Sequence, residues 1–99
     1  MTQIKIYVVD YPLYSMILDT FKISLCKIFS GLTEYQNVKG YWLDSHNKLI
    51  TDNVTIWEIY TYANTLKDSI RFSEIMQNIK AVTVQQAQYY TIDNIPHLV

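Results

Sequence analysis

N-V-T-I-W-E-I-Y-T-Y-A, residues 53–63, reads as a β-strand with no polar side. One alternate set is Val54, Ile56, Glu58, Tyr60 and Tyr62; the other is Thr55, Trp57, Ile59 and Thr61. Side chains alternate across a strand, so a half-solvated strand carries one polar set. This stretch has none, which places it at the centre of a sheet with both faces covered.

The residues before it read as the other arm of a hairpin. T-E-Y-Q-N-V-K-G-Y-W-L-D gives a strand over 34–44, with Gly40 inside it as the expected site of a bulge or close approach. Ser45-His46-Asn47-Lys48 is the turn, and Leu49-Ile50-Thr51 extends the hairpin. At the start of the chain, Gln3 to Asp10 alternates Ile4, Ile6 and Val8 with Gln3, Lys5, Tyr7 and Val9. Pro12 suits the first turn of a helix over 13–30, where Tyr14, Ile17, Leu18, Phe21, Leu25, Ile28 and Phe29 form an apolar stripe. Gly31 is the expected left-handed stop.

Downstream, Thr65-Leu66-Lys67-Asp68 has the form of a capping box with Asp for Glu. A helix over 66–81 carries Leu66, Ile70, Phe72, Ile75, Met76 and Ile79. Residues 82–93 read as a last strand, and Pro96 makes 94–99 a tail outside the ladder. The order β-α-β-β-α-β implies an α+β, ferredoxin-like, four-stranded antiparallel sheet of order 4-1-3-2, with both helices on one face. Residues 1–99 are expected to form a single domain. The helix-free face then takes Lys5, Tyr7 and Val9, one set from residues 53–63, Tyr41 or Trp42, and Tyr89 or Tyr90.

Composition narrows the function classes. The chain has 99 residues, 49% hydrophobic and 17% charged, a folded composition whose modest core would gain from self-association. Eight basic and nine acidic residues give a net charge of −1 with no basic run, so strong phosphate-backbone binding is not indicated. One cysteine, Cys26, excludes an internal disulfide and fits a reducing compartment. The first ten residues lack a signal-peptide pattern and no window is apolar enough to span a bilayer, so a cytoplasmic protein is expected. No cofactor or metal motif stands out.

Gly40-Tyr41-Trp42-Leu43-Asp44, then Lys48-Leu49-Ile50 and the apolar run 54–59, resemble a family of small bacterial and phage proteins with a ferredoxin-like fold. Their hairpin reads G-x-W-x-D and their last strand opens on Gln, an acid and a small residue. Gln85-Gln86-Ala87 matches that opening without the acid. The resemblance implies the fold and a phage or mobile-element setting, with action on a host factor, counter-defence included. It implies no particular chemistry.

Among candidate chemical groups, Asp44, His46 and Asp52 around the hairpin read as a polar turn more readily than as a metal or acid–base cluster. Cys26, among Leu25, Ile28 and Phe29, reads as an inert thiol. Glu58 is the acid of most interest: on the helix-free face it would be partly desolvated among tyrosines, or paired with Lys5 or Lys39. The nine tyrosines are the strongest compositional signal. They lead to the expectation of a non-enzymatic interaction protein, binding a host partner or itself as a homodimer through Tyr7, Tyr41, Trp57, Glu58, Tyr60, Tyr62 and Tyr89. One alternative is a single-stranded nucleic-acid binder that stacks bases on the same aromatics. Another is a small dimeric α+β-barrel enzyme, with a pocket between helices and sheet and Glu58 or His46 taking part.

Overall fold

The computed structural model describes residues 1–10, 15–62 and 66–99, without the side chains of 66–68. The elements are β1 (Thr2–Val9), α1 (Ser15–Phe29), β2 (Thr33–Leu43), β3 (Leu49–Thr61), α2 (Leu66–Val82), β4 (Tyr89–Ile92) and β5 (Ile95–Leu98). The expectations for Pro12, Tyr14, Leu66 and the Thr65–Asp68 capping box fall outside the described residues.

The sheet is antiparallel, with order β2-β3-β1-β4-β5. This corrects the four-stranded expectation: a fifth strand joins at the β4 edge, and the arrangement remains broadly ferredoxin-like. The supposed tail is that strand. Asp93 and Asn94 both take positive φ (48° and 66°), the geometry of a tight type I′ turn, which Asp and Asn tolerate. Pro96 pairs opposite Thr91 on the outermost strand, where a missing N–H costs no ladder bond. The supposed long last strand is mostly something else: α2 runs to Val82, Gln85-Gln86-Ala87 precedes β4, and β4 itself begins at Tyr89.

β1 settles which side of β3 is inside. Ile4, Ile6 and Val8 are buried, and Ile4 pairs with Ile59 and Ile6 with Trp57. Directly paired residues share a face, so Trp57 and Ile59 point to the helices. There they join Leu18, Leu25 and Phe29 of α1 and Phe72, Ile75, Met76 and Ile79 of α2 in one core. Two stripe positions are not in it: Ile17 and Ile70 are exposed.

Gly40 is not the bulge. The β2–β3 register shifts between Tyr35 and Val38, where Asn37 takes φ 61°. A Cβ added at Gly40 would meet Val54 Cγ2 at 3.4 Å, an ordinary contact. Nor is Gly31 the left-handed stop of α1. Ser30 holds that place, with φ 76° and its N–H donating to the Cys26 carbonyl at 2.8 Å.

Candidate functional site

The register fixes what stands on the helix-free face. Lys5 lies opposite Glu58, Gln3 opposite Tyr60, Tyr7 opposite Ile56 on one side and Tyr89 on the other. Tyr35 lies opposite Ile56, one step diagonal to Glu58. The Glu58 side chain is only 12% exposed although no helix covers it. Its neighbours do the covering. The Tyr35 hydroxyl donates to Oε1 at 3.2 Å and the Gln3 amide donates to Oε2 at 3.3 Å. Gln3 also donates to the Tyr60 hydroxyl at 3.0 Å, and Lys5 Nζ stands 4.0 Å from Oε2. The nearby negative charge of Glu58, and the hydrogen bond to it, hold the Tyr35 phenol above its usual pKa. An open groove of about 380 Å³ runs over this place, lined by Lys5, Tyr35, Val38, Ile56 and Glu58. The result is a withdrawn carboxylate beside tyrosines over an aliphatic floor.

Of the residues singled out in the sequence, the fold brings Tyr7, Glu58, Tyr60 and Tyr89 to this one face. Tyr7 and Tyr89 touch, with ring centroids 4.9 Å apart and planes 56° from parallel. Tyr62 lies just past β3 and is 81% exposed. Trp57 is on the other face, 1% exposed, and cannot anchor a partner. Tyr41 is opposite Thr51 and shares the Trp57 side of the sheet; Trp42, opposite Ile50, is the one on the Glu58 side. His46 is in the turn, where Asp44 Oδ1 accepts from the backbone N–H groups of His46 and Lys48. Asp44 is thus committed to turn geometry, and Asp52 accepts from the Trp42 indole at 3.0 Å. Among the described residues, no group of three or more His, Cys, Asp or Glu side chains is placed to hold a metal. Gln3 and Tyr35 were not singled out in the sequence. The period-2 pattern of β1 and β3 carries the Gln3 signal, but the bulge in β2 hides that of Tyr35.

A second polar cluster lies between α1 and the sheet. Glu34 Oε1 accepts from the Trp57 indole at 3.0 Å and from Lys22 at 3.2 Å, and Oε2 accepts from Gln36 at 3.3 Å. Lys22 also pairs with Asp19 at 2.9 Å and stands 5.9 Å from the centre of the Trp57 ring. A cleft of about 250 Å³ opens beside them, with Asp10, Ser15, Asn37 and Thr55 in its wall. Burial pushes the Glu34 carboxyl up, but the indole and ammonium donors outweigh it and hold the group below its ordinary pKa. Every oxygen of Glu34 has a protein donor, so this cluster fastens α1 to β2 and β3.

No protein-family model and no curated protein matches the chain by sequence. Among solved structures, the chain is similar to a phage SAM lyase in complex with S-methyl-5′-thioadenosine, at TM-score 0.70 and 14% identity over 99% of this chain and 88% of that one. The same lyase in its apo state matches at TM-score 0.70 and 14% identity, covering 99% and 87%. The divalent cation tolerance protein CutA1 from Thermus thermophilus matches at TM-score 0.60 and 12% identity, covering 93% and 82%. These likenesses concern the fold, and the resemblance to small phage proteins stands at that level. They also correct the non-enzymatic reading, which rested on the two-sided apolar strand and the tyrosines: the phage SAM lyase, matched over nearly the whole of this chain, is an enzyme.

Proposed function

We propose that this chain is an enzyme that cleaves a sulfonium nucleoside of the S-adenosylmethionine kind, with Glu58 in its site. What carries the reading is the Glu58 carboxylate, 12% exposed at the middle of an open sheet face and flanked by tyrosines. The fold likeness to a phage SAM lyase supports it. A sulfonium is a weakly hydrated cation that suits aromatic rings better than bulk water, and the α-ammonium of the same molecule suits a carboxylate.

A lyase breaks the carbon–sulfur bond without water, and two routes balance. In one, the substrate's own carboxylate attacks its γ carbon. A C–O bond forms, and the γ C–S pair leaves with neutral S-methyl-5′-thioadenosine, giving homoserine lactone. In the other, a base takes a β proton and a double bond forms as the same thioether leaves. Both oxygens of Glu58 already accept hydrogen bonds, so neither is free to take the β proton, which disfavours the second route. The charge on sulfur vanishes as the bond breaks, so an anion beside the sulfur would favour substrate over transition state. Glu58 therefore works at the other end. It takes the α-ammonium in the place that Lys5 now approaches, and so aims the carboxylate at the γ carbon.

The test is to incubate the purified protein with S-adenosylmethionine and follow S-methyl-5′-thioadenosine by mass spectrometry. The thioether and the lactone should appear together, with no ¹⁸O from labelled water in the initial product. Glu58→Gln should lower the rate about 100-fold, as loss of a charged hydrogen bond worth about 3 kcal/mol would. No thioether from the wild-type protein sinks the reading.

The expected association with a second copy becomes a proposal about the β2–β3 arm. It is supported by exposed Tyr41, Trp42, Leu43 and Leu49. No helix among the described residues is long and apolar enough to cross a membrane.

A further inference from the structure

The site just described accounts for Glu58 but leaves the aromatic pair beside it without a task. Tyr7 and Tyr89 face each other across β1 and β4 on the helix-free face, 4.9 Å apart and tilted by 56°. Tyr89 is 39% exposed. Beneath them lies a device that holds the pair in place. The amide of Gln88, itself 2% exposed, donates to the Tyr7 carbonyl at 2.7 Å and to the Tyr89 carbonyl at 3.1 Å. One buried side chain thus ties together the backbones of both tyrosines. Gln88 is held in turn by a reciprocal pair of backbone bonds with Val99, at 3.2 and 3.1 Å.

We propose that Tyr7 and Tyr89 form the purine platform of this face, stacking the adenine ring of a 5′-thio or 5′-sulfonio adenosine; the inference rests on the sulfonium-nucleoside reading above. Two observations tie the pair to the Glu58 groove. The platform joins the groove directly, because Tyr7 pairs with Ile56 and Ile56 lines the groove. Tyr7 and Glu58 are diagonal neighbours across β1 and β3, a separation of about 7–8 Å that long side chains span. An aromatic ring face at one end, with the second ring tilted against it, and an anion at the other match a purine and an ammonium, with ribose and sulfur over the aliphatic floor between them. Charge complementarity sets the direction: the anion selects the cationic end, and the uncharged rings take the uncharged base. Stacking tolerates any purine substituent pattern, so affinity here comes from ring area and not from edge hydrogen bonds.

The experiment is calorimetric titration of S-methyl-5′-thioadenosine and of adenosine into wild type, Tyr89→Phe and Tyr89→Leu, each checked for its melting transition. Tyr89→Phe should bind both probes as wild type does. Tyr89→Leu should weaken both about 10- to 100-fold. If the enzyme reading holds, the same variant raises KM for S-adenosylmethionine more than it lowers kcat. Equal binding by wild type and Tyr89→Leu, or no binding of either probe by wild type at millimolar concentration, overturns the platform; an active wild type would still leave the enzyme reading standing. Tyr89-dependent binding in a protein that cleaves nothing keeps the platform and removes the lyase. Tighter binding of a mixed single-stranded oligonucleotide than of either nucleoside also overturns it.

Discussion

Glu34 Oε1 receives two different donors, the Trp57 indole and the Lys22 ammonium. Removing the acceptor leaves an indole N–H on a side chain that is 1% exposed. Glu34→Ala is therefore expected to cost about 1–3 kcal/mol, read as a lower urea midpoint, and Glu34→Gln less because an acceptor remains. The pH dependence has a definite sign. The folded pKa of Glu34 lies below its ordinary value, so its contribution is complete above the unfolded pKa and is lost as pH falls through the folded one. For Lys22, burial pulls the pKa down but Asp19 and Glu34 pull it up further. The net pKa is raised, so that contribution is complete below the unfolded pKa and is lost as pH rises through the folded value. Melting temperature should fall on acidification through the carboxylate range, and Glu34→Gln should flatten that fall. At this scale the sequence was only half legible. Trp57 stood out, yet both sets of its strand were apolar, so its facing depended on pairing with Ile6. Glu58 was legible as an acid in an apolar strand, but its donors arrive from β1 and β2.

Helix ends explain why some element boundaries were misread. After α2, the Gln85 N–H bonds to the Lys80 carbonyl and the Val84 N–H to the Ala81 carbonyl, the two bonds of a Schellman motif. The residue in the left-handed position is Val84, at φ 54° and 79% exposed. A β-branched residue there is strained and gives no sequence warning, so residues 82–84, V-T-V, read as strand. Ser30 likewise occupies the position that Gly31 was expected to fill. Since the Val84 side chain is exposed, relieving the strain has no evident packing cost. Val84→Gly should raise stability by about 1 kcal/mol, seen as a higher melting temperature with unchanged helical circular dichroism; a lower one would show that the side chain packs. Hairpin ends were read better where the chemistry was local. Asp44 and Asn47 did mark the first turn, with Asn47 at φ 60°. Asp93-Asn94 is just as local a signal, but Pro96 outweighed it, because an edge strand that tolerates proline cannot be told from a tail without knowing its neighbours.

At the scale of the molecule, the sheet is longer than the helix layer. The Cα extents are 43 × 29 × 21 Å; β3 has 13 residues rising about 3.3 Å each, whereas α1 and α2 have 15 and 17 rising about 1.5 Å each. Residues 39–43 and 49–53 project as an arm with apolar side chains on both sides: Tyr41, Leu43 and Leu49 on one, Trp42 and Ile50 on the other. Trp42 is held by its bond to Asp52, and Leu43 and Leu49 are each 60% exposed. A rigid ribbon presenting such surface to water gains about 25 cal/mol for each Å² it buries, and a second copy of the chain supplies an arm of matching chemistry. Much of this was foreseeable, since the G-Y-W-L-D stretch and L-I flank a turn. What could not be read was that Tyr41, Trp42, Leu43 and Leu49 stay exposed, because that follows from where α1 and α2 dock. The expected outcome is a species larger than one chain in sedimentation at about 50 μM, with Leu43→Ser/Leu49→Ser returning it to monomer while the melting transition survives, as it should when the changed residues lie outside the core. A wild-type monomer at that concentration would instead mean that the arm is solvated, and the ordering of its rotamer-rich side chains would then outweigh the area they could bury.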